Sequence, residues 1–376
     1  MKRKQKKLYP LLMKYIDEYR DTALIQKLKR KIHHILQHYP KELVLMEVCG
    51  THTMIIFRSG LQKLLPQNIY LLSGPGCPVC VTSNHYLDKA IAYGRRDDVI
   101  ITTFGDMMKV PGSSSSLEKE KGTGGDIRVV YSALDALKIA QDNPEKKVIF
   151  LGIGFETTAP TVAATIKIAK EQNIQNFFIL SGHKLMPPAM EALVNDRRIH
   201  IDGFICPGHV STVIGSKPYE FIATEYKIPC VVTGFEPVDI MSAIFMLIQQ
   251  IVETKSPEVQ IEYTRSVKEE GNKKALRLMR EVFEITDSSW RGIGNIPASG
   301  LKIKEKFSSF DAEANIEVEV EKSKENKGCI CGDILRGIKR PPDCKLFKKV
   351  CTPENPVGAC MVSSEGTCSA YFKYTD

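Results

Sequence analysis

Two short segments place cysteines where chemistry is expected. "CGTHT" (49–53) and "GPGCPVC" (74–80) each follow an apolar run, so their cysteines fall at the ends of predicted strands. Cys49 has His52 three residues further on, and one Cys with one His cannot fill a metal's coordination sphere. The pair therefore suits an open site completed by a second protein or small ligands, an activated thiolate with His52 as its base, or a buried cysteine without chemistry. The strand-end position, where ligands of open α/β sheets gather, favours a functional interpretation.

The second segment contains a CxxC pair, Cys77 and Cys80. Its first cysteine is predicted near a helix start, where the helix dipole and free backbone N–H groups lower the pKa of a thiol. This arrangement is typical of thiol–disulfide exchange. Half of a zinc site is the alternative, although the sequence has no second CxxC to complete it.

A second group of cysteines lies near the C-terminus, without the spacing of a zinc ribbon or a ferredoxin. Four of them form the series Cys329-x14-Cys344-x6-Cys351-x16-Cys368. Four thiolates suit a [4Fe-4S] cluster, and the two remaining thiols, Cys331 and Cys360, could form a disulfide that takes electrons from it. The spacing leaves open which four of the six cysteines ligate, and zinc binding without redox chemistry is the alternative hypothesis.

Two further motifs, "GFETTAP" and "PGHVS", also fall at predicted strand ends. Glu156 in the first is a candidate acid, base or ligand-orienting group, and His209 in the second is its candidate partner. Ordinary helix capping explains the first motif equally well. Cys206 and Cys230 border apolar runs, and we expect both to be buried and inert.

The elements that carry these motifs follow one pattern, in which a short apolar run rich in β-branched residues precedes a helical segment. The runs are 43–48, 69–74, 98–105, 127–132, 147–154, 177–182, 201–206 and 230–235. Continuous rather than alternating apolar character predicts strands covered on both faces, and hence parallel sheets. The predicted fold class is therefore α/β, with two open, mainly parallel-sheet α/β domains. The C-terminal cysteines predict a further, cysteine-rich iron-sulfur domain.

The charged segment "DNPEKK" (142–147) is the predicted boundary between the α/β domains. The first would comprise residues 41–145, with the CGTHT and CPVC motifs, and the second residues 146–255, with the GFETT and PGH motifs. Residues 1–40 and 256–376 would form the helical and cysteine-rich domain. Within the first domain, the Ser-rich stretch 111–126 is predicted to be an ordered surface loop with a short capped helix.

Charge is unevenly distributed, because residues 1–40 contain eleven Lys or Arg and only three acidic residues. Such an arm could bind nucleic acid, anionic lipid or an acidic partner, but no aromatic-interleaved basic patch follows it. We therefore expect a solvated helix docked by its Leu and Ile face, and no nucleic-acid partner.

No apolar run is long enough to span a membrane, and "IMSAIFMLIQQIV" (240–252) is predicted to be a buried helix. The basic N-terminus lacks the apolar stretch of a signal peptide, so the expected location is the cytoplasm. Thiols stay reduced there, which leaves metal ligation, redox chemistry or ordinary burial as the expected uses of the eleven cysteines.

Together these motifs resemble the hydrogenase maturation factor HypD family. The resemblance includes "CGTHT", "GPGCPVC", "GDMMKVPGSSSSL", "RVVYSALDALKIA", "GFETTAP", "SGHKLMPPAMEAL", "GFICPGHVS", "WRGIGNIPASGL" and the cysteine series. It extends from about residue 43 to the last cysteine and leaves only the basic arm outside.

The resemblance implies a redox-active scaffold on which the Fe(CN)2CO group of [NiFe]-hydrogenase is assembled with the chaperone HypC, the cyanide coming from HypE with HypF. Cys49 would be an iron ligand that shares the metal with a chaperone cysteine, and His52 would be its ligating or supporting neighbour. Cys77 and Cys80 would be a redox pair.

The resemblance also implies that Cys329, Cys344, Cys351 and Cys368 hold a [4Fe-4S] cluster. Cys331 and Cys360 would then be the adjacent dithiol, in a manner similar to ferredoxin–thioredoxin reductase. The alternative is a stand-alone iron-sulfur protein-disulfide reductase, for which Cys49 would be unnecessary.

Overall fold

The computed structural model describes residues 17–253 and 256–375. In these ranges the strands are β1 (Leu43–Glu47), β2 (Ile69–Ser73), β3 (Val99–Thr103), β4 (Ile127–Val129), β5 (Lys147–Gly152), β6 (Phe177–Ser181), β7 (Gly203–Pro207), β8 (Cys230–Thr233), β9 (Val259–Ile261), β10 (Phe283–Trp290) and β11 (Gly294–Ile303). The first eight confirm the eight predicted runs, and β9 to β11 are additional.

The α-helices of the described residues are α1 (Thr22–Leu36), α2 (Gly50–Arg58), α3 (Pro78–Val81), α4 (Asn84–Gly94), α5 (Leu117–Gly122), α6 (Ala133–Asp142), α7 (Ala159–Glu171), α8 (Met186–Val194), α9 (Gly208–Ile214), α10 (Glu220–Thr224), α11 (Pro237–Glu253), α12 (Lys273–Val282), α13 (Ala312–Asn315), α14 (Cys331–Leu335), α15 (Ala359–Val362) and α16 (Thr367–Tyr374). Short 3-10 turns occupy Asp17–Arg20, Leu61–Leu64, Gly105–Met107, Lys217–Tyr219, Glu305–Phe310 and Pro341–Asp343.

The strands form two parallel sheets and one antiparallel hairpin. The first sheet has the order β2-β1-β7-β8-β9, and the second has the order β4-β3-β5-β6. Strands β10 and β11 pair with each other in antiparallel orientation. The predicted α/β class with two mainly parallel sheets is confirmed.

Sheet membership does not follow the predicted boundary near residue 145. Strands β7 and β8 come from the predicted second domain but belong to the first sheet, while β3 and β4 come from the predicted first domain and belong to the second. The reason is that β1 is buried and needs a neighbour on each side, which β2 and β7 supply. Gly203 allows β7 to lie close to β1, because a Cβ at this residue would be only 3.1 Å from a methyl group of Leu45.

Residues 256–310 also lie elsewhere than predicted. Strand β9 is the fifth strand of the first sheet. Helix α12 and the β10–β11 hairpin pack on the second sheet, where Phe283, Leu301 and Ile303 share a core with Phe150. Their apolar faces are therefore buried by the α/β sheets, and the cysteine-rich unit is confined to the last fifty residues or so.

The part of residues 1–40 that the structure describes packs on the first sheet's helical layer. Helix α1 buries Ile25, Leu28, Ile32 and Leu36, spaced along one face, against α11. The predicted helix docked by its Leu and Ile face is thus confirmed, but it belongs to the first sheet and not to the cysteine-rich unit. Residues 1–16 of the basic arm lie outside the described residues.

Two local predictions are also confirmed. The loop at 111–126 contains α5, and the Ser116 hydroxyl caps it by accepting a hydrogen bond from the Lys119 N–H. The apolar segment 240–252 forms most of the buried α11. Within the described ranges, no helix has the length and apolar character required to cross a membrane.

Candidate functional site

The carboxyl edge of the first sheet brings three separated motifs together. Cys49 follows β1, Cys77 lies beyond β2, and His209 follows β7. Since β1 pairs with both β2 and β7, these side chains meet at one edge. Gly76 permits the segment that carries Cys77 to approach Cys49, because a Cβ at residue 76 would lie 2.2 Å from the backbone nitrogen of Cys49.

Cys49 is almost completely buried and forms the N-cap of α2. Burial raises the pKa of its thiol to about 12, and the neighbouring carboxylates of Glu365 and Glu47 act in the same direction. The backbone N–H groups of His52 and Thr51 lower this pKa but do not outweigh burial. The thiol is therefore protonated at neutral pH, and a bound cation is needed to make it a thiolate.

The imidazole that contacts Cys49 belongs to His209. Its Nδ1 lies 3.8 Å from the Cys49 Sγ, and burial lowers the pKa of His209 to about 4, so the ring is neutral at pH 7. With the Nε2–H tautomer, Nδ1 is free to accept a hydrogen bond from the thiol or to bind a metal. From sequence spacing alone, His52 was the expected neighbour of Cys49.

His52 has a supporting position instead. Its ring is buried, stacks on Phe235 at 5.1 Å, and its Nε2 donates to the Gly234 carbonyl at 2.9 Å. Burial lowers the pKa of His52 to about 3. Phe235 also contacts His209 at 5.2 Å, so the phenyl ring connects the two imidazoles and fixes the orientation of the one that faces Cys49.

A cavity of about 270 Å³ lies beside this edge, between the two parallel sheets. Its walls include Cys77, Phe104, Asp106, Phe155, His209 and Glu365. The last of these comes from the cysteine-rich unit, and its carboxylate accepts a hydrogen bond of 2.6 Å from the Thr51 hydroxyl. The two sheets and the cysteine-rich unit thus all contribute to one cavity, which reaches Cys49 through its neighbour His209.

The CPVC pair lies between this cavity and the cysteine-rich unit. Cys77 is the N-cap of α3, as predicted, and its sulfur accepts the Cys80 backbone N–H at 3.3 Å. The two sulfurs are 2.7 Å apart. Helix α3 packs on α15, where the Cys80 thiol lies 4.0 Å from the carbonyl oxygen of Ala359, the residue before Cys360. The predicted domain division separated these cysteines, whereas the fold places their helices in contact.

All six C-terminal cysteines line one small cavity of about 10 Å³. The rest of its wall is apolar and includes Ile334, Leu346, Phe347 and Met361. The sulfurs of Cys331 and Cys360 are 2.7 Å apart. Gly358 allows this crowding, because a Cβ there would lie 2.7 Å from the Cys329 sulfur.

The donor set of this cavity fits an iron-sulfur cluster. Soft thiolates in an apolar surrounding are the ligands that such clusters use. Among residues 17–253 and 256–375, no three His, Cys, Asp or Glu side chains form a ready-made site for a single metal ion.

Cys206 and Cys230 are both fully buried in the first sheet, as predicted. Glu156, a predicted acid or base, is buried too, and it accepts the Met186 backbone N–H at 2.9 Å. Met186 is the first residue of α8, so the carboxyl group holds the start of that helix. Burial raises the pKa of Glu156 to about 7. One of its carboxyl oxygens thus holds a helix start, while the other, Oε2, is buried and has no hydrogen-bond partner among the described residues.

We expect Glu156→Gln to stabilise the fold at pH 8 and to have little effect at pH 4.5. Below its ordinary pKa of 4.5 the carboxyl is protonated in both the folded and unfolded states, and above about 7 it is ionised in both. The wild type therefore loses stability as pH rises through this window, by about 3 kcal/mol in total. Glutamine still accepts the Met186 N–H without burying a charge.

Urea unfolding midpoints at the two pH values measure this effect. The matched control is Glu191→Gln, which replaces an exposed carboxylate on α8, the helix whose start Glu156 holds. Equal midpoints for Glu156→Gln and the wild type at pH 8 would contradict the raised pKa of the buried carboxyl group.

The fold and the site define a class of protein in which two parallel α/β sheets and a cysteine-rich unit meet at a series of neighbouring cysteine thiols. The family model HypD, described as "Hydrogenase formation hypA family", matches residues 23–375. The chain is 46% identical over 371 residues to hydrogenase maturation factor HypD2 of Bradyrhizobium diazoefficiens, covering 96% of this chain and 97% of that protein.

Similar matches come from other bacteria. The chain is 47% identical over 370 residues to hydrogenase maturation factor HypD of Rhizobium leguminosarum bv. viciae, covering 96% of each chain. It is 42% identical over 367 residues to HypD of Escherichia coli (strain K12), covering 96% of this chain and 98% of that one. The chain belongs to the HypD family of hydrogenase maturation factors, which confirms the resemblance seen in its motifs.

Proposed function

We propose that this protein is a redox-active scaffold for assembly of the Fe(CN)2CO group of [NiFe]-hydrogenase. Iron carrying these ligands is the cargo, and Cys49 holds it. The observation that carries the proposal is the convergence of Cys49, His209 and Cys77 on one edge of the first sheet, beside a cavity between the two parallel sheets. A stand-alone disulfide reductase has no use for the contact between Cys49 and His209.

The Cys49 site is suited to a metal that is shared with another protein. A soft thiolate is a favoured ligand for low-spin iron. The buried thiol has a raised pKa, so metal binding must displace its proton to solvent, and the neutral imidazole of His209 lies where it can bind the metal itself. Two side chains leave the coordination sphere incomplete, and the chaperone HypC would supply the missing thiolate.

The cavity is the proposed binding space for the incoming cyanide and carbonyl ligands. Its volume of about 270 Å³ is bounded by both sheets and by Glu365, so the incoming groups would be held between the two sheets, beside Cys77 and His209. HypE, with HypF, is the proposed cyanide source and would deliver its group into this space.

The cysteines form a continuous path from the C-terminal unit to this cavity. A [4Fe-4S] cluster held by Cys329, Cys344, Cys351 and Cys368 would supply electrons one at a time. The dithiol Cys331–Cys360 then reduces a Cys77–Cys80 disulfide by exchange. Cys360 attacks Cys80 and releases Cys77, after which Cys331 attacks Cys360 and releases Cys80. Two electrons thereby pass to the CPVC pair, and the Cys331–Cys360 disulfide remains for the cluster to reduce.

The infrared spectrum of the anaerobically purified protein tests the proposal. The sample is co-expressed with its presumed chaperone and cyanide-supplying partners, and we expect cyanide and carbonyl stretches together with iron and acid-labile sulfide. An intact, iron-replete complex without those stretches would favour the disulfide reductase. Zinc without iron or sulfide would indicate a zinc-stabilised binding protein.

A further inference from the structure

The segment between Cys344 and Cys351 carries an unusual charge pattern. It contains Lys345, Lys348 and Lys349 and no acidic residue, whereas the chain beyond residue 40 has equal numbers of acidic and basic residues. All three lysines are exposed, and so is the apolar Val350, which retains 53% of its accessible surface. These four residues are called the basic surface below.

The basic surface is the outer face of the wall that encloses the six thiols. Leu346 and Phe347, from the same segment, line the cysteine cavity on its inner side. The two ends of the segment, Cys344 and Cys351, line it as well. Only the thickness of one short turn therefore separates the exposed lysines from the proposed cluster.

The turn is held in place by its own backbone. The Leu346 carbonyl accepts hydrogen bonds from the N–H groups of Lys349, Val350 and Cys351, at 2.9 to 3.2 Å. Lys348 has a positive φ of 58°, which closes the turn. Phe347 packs edge-on against Phe372 of α16, at 6.4 Å between ring centroids. A rigid surface loses little conformational entropy when a partner binds.

Two of the three lysines, Lys345 and Lys349, are available for a partner, whereas Lys348 is engaged within the protein. Lys348 donates to the Thr375 carbonyl at 2.8 Å and lies near the rings of Phe347 and Phe372. Among the described residues, neither Lys345 nor Lys349 forms an ion pair with a carboxylate. An exposed apolar residue surrounded by cations suits a small, transient interface with an acidic protein.

We propose that the basic surface is the docking site for an acidic one-electron carrier protein. This inference rests on the proposed function, because the carrier would reduce the cluster behind the turn. Each encounter oxidises the carrier by one electron and reduces the cluster by one. Two encounters, with two protons from solvent, therefore supply what one disulfide needs.

The test compares two electron sources on the purified, cluster-containing protein. Stopped-flow absorbance follows cluster reduction by a reduced acidic ferredoxin and, separately, by a photoreduced neutral deazaflavin. For Lys345→Glu with Lys349→Glu we expect the ferredoxin rate constant to fall about tenfold or more at low salt. The difference should shrink toward about 0.5 M salt, where charges are screened. The deazaflavin rate should not change.

The matched control reverses two exposed lysines elsewhere, Lys138 on α6 and Lys274 on α12, with the same change in net charge. It should leave the ferredoxin rate near that of the wild type. An equal fall in the control, or a loaded cluster that ferredoxin reduces at the wild-type rate in the variant, would overturn the docking site alone. Slower reduction by deazaflavin would also overturn it, since the cluster itself would then be disturbed. A wild-type protein without cluster absorbance would overturn the proposed function and this inference together.

Discussion

Replacing Cys49 with Ala is expected to remove the cyanide and carbonyl stretches completely and to abolish hydrogenase maturation. Alanine leaves His209 as the sole contacting ligand from this part of the site, and one neutral imidazole cannot hold iron against competing ligands. The C-terminal cysteines are in another unit, so the visible absorbance of the cluster should persist. Infrared and visible spectra of the same anaerobic sample measure both effects.

The matched control for this variant is Cys206→Ala. Cys206 is another fully buried cysteine of the first sheet, in β7, so its replacement removes the same atoms from a similar environment. It should retain both the stretches and the maturation activity. Stretches that persist in Cys49→Ala would mean that other residues hold the iron, and the scaffold proposal would lose its central residue.

Local sequence signals were sufficient for the strands of the α/β sheets. Eight apolar runs predicted β1 to β8, because a strand buried on both faces must be apolar along its length. Strands β10 and β11 were missed for the converse reason. Several residues in each are exposed, and β10 reads "FEITDSSW", which has no continuous apolar run.

Sheet membership could not be predicted in the same way, because strand order depends on contacts between distant residues. The local sequence of "DNPEKK" (142–147) was consistent with a domain boundary. The chain nevertheless leaves the first sheet after β2 and returns to it only at β7. His209 was missed as the neighbour of Cys49 for this reason. The two residues are 160 positions apart, and only the pairing of β1 with β7 brings them together.

The same limit applies to the cysteines. Their types and spacing indicated a CxxC pair, a cluster set and an extra dithiol, but spacing contains no information on the distance between separate units. The contact between α3 and α15 makes Cys80 a neighbour of Cys360 and turns three separate thiol groups into one path. Glu156 is a further example, because its contact with the start of α8, 30 residues further along the chain, could not be predicted from its motif.

Cys360→Ser is expected to stop electron flow to the CPVC pair without removing the cluster. Cys360 pairs with Cys331 and lies on α15, which packs on the helix of Cys80, so its loss interrupts exchange at its middle step. After reduction of the cluster, Cys77 and Cys80 should stay oxidised, with their reduction falling to background. Alkylation of the peptide that contains both cysteines, followed by mass spectrometry, measures their redox state.

The visible spectrum of this variant also identifies the ligand set, because all six cysteines line the same cavity and spacing alone does not separate ligands from the dithiol. Retained absorbance with oxidised Cys77 and Cys80 supports the assignment of Cys360 to the dithiol. Cys230→Ala, at a buried cysteine outside the path, should leave both signals unchanged. Loss of absorbance in Cys360→Ser would make Cys360 a cluster ligand, and one of the four assigned ligands would then belong to the dithiol. Normal reduction of Cys77 and Cys80 would instead exclude the path through Cys360, because electrons would reach the CPVC pair without it.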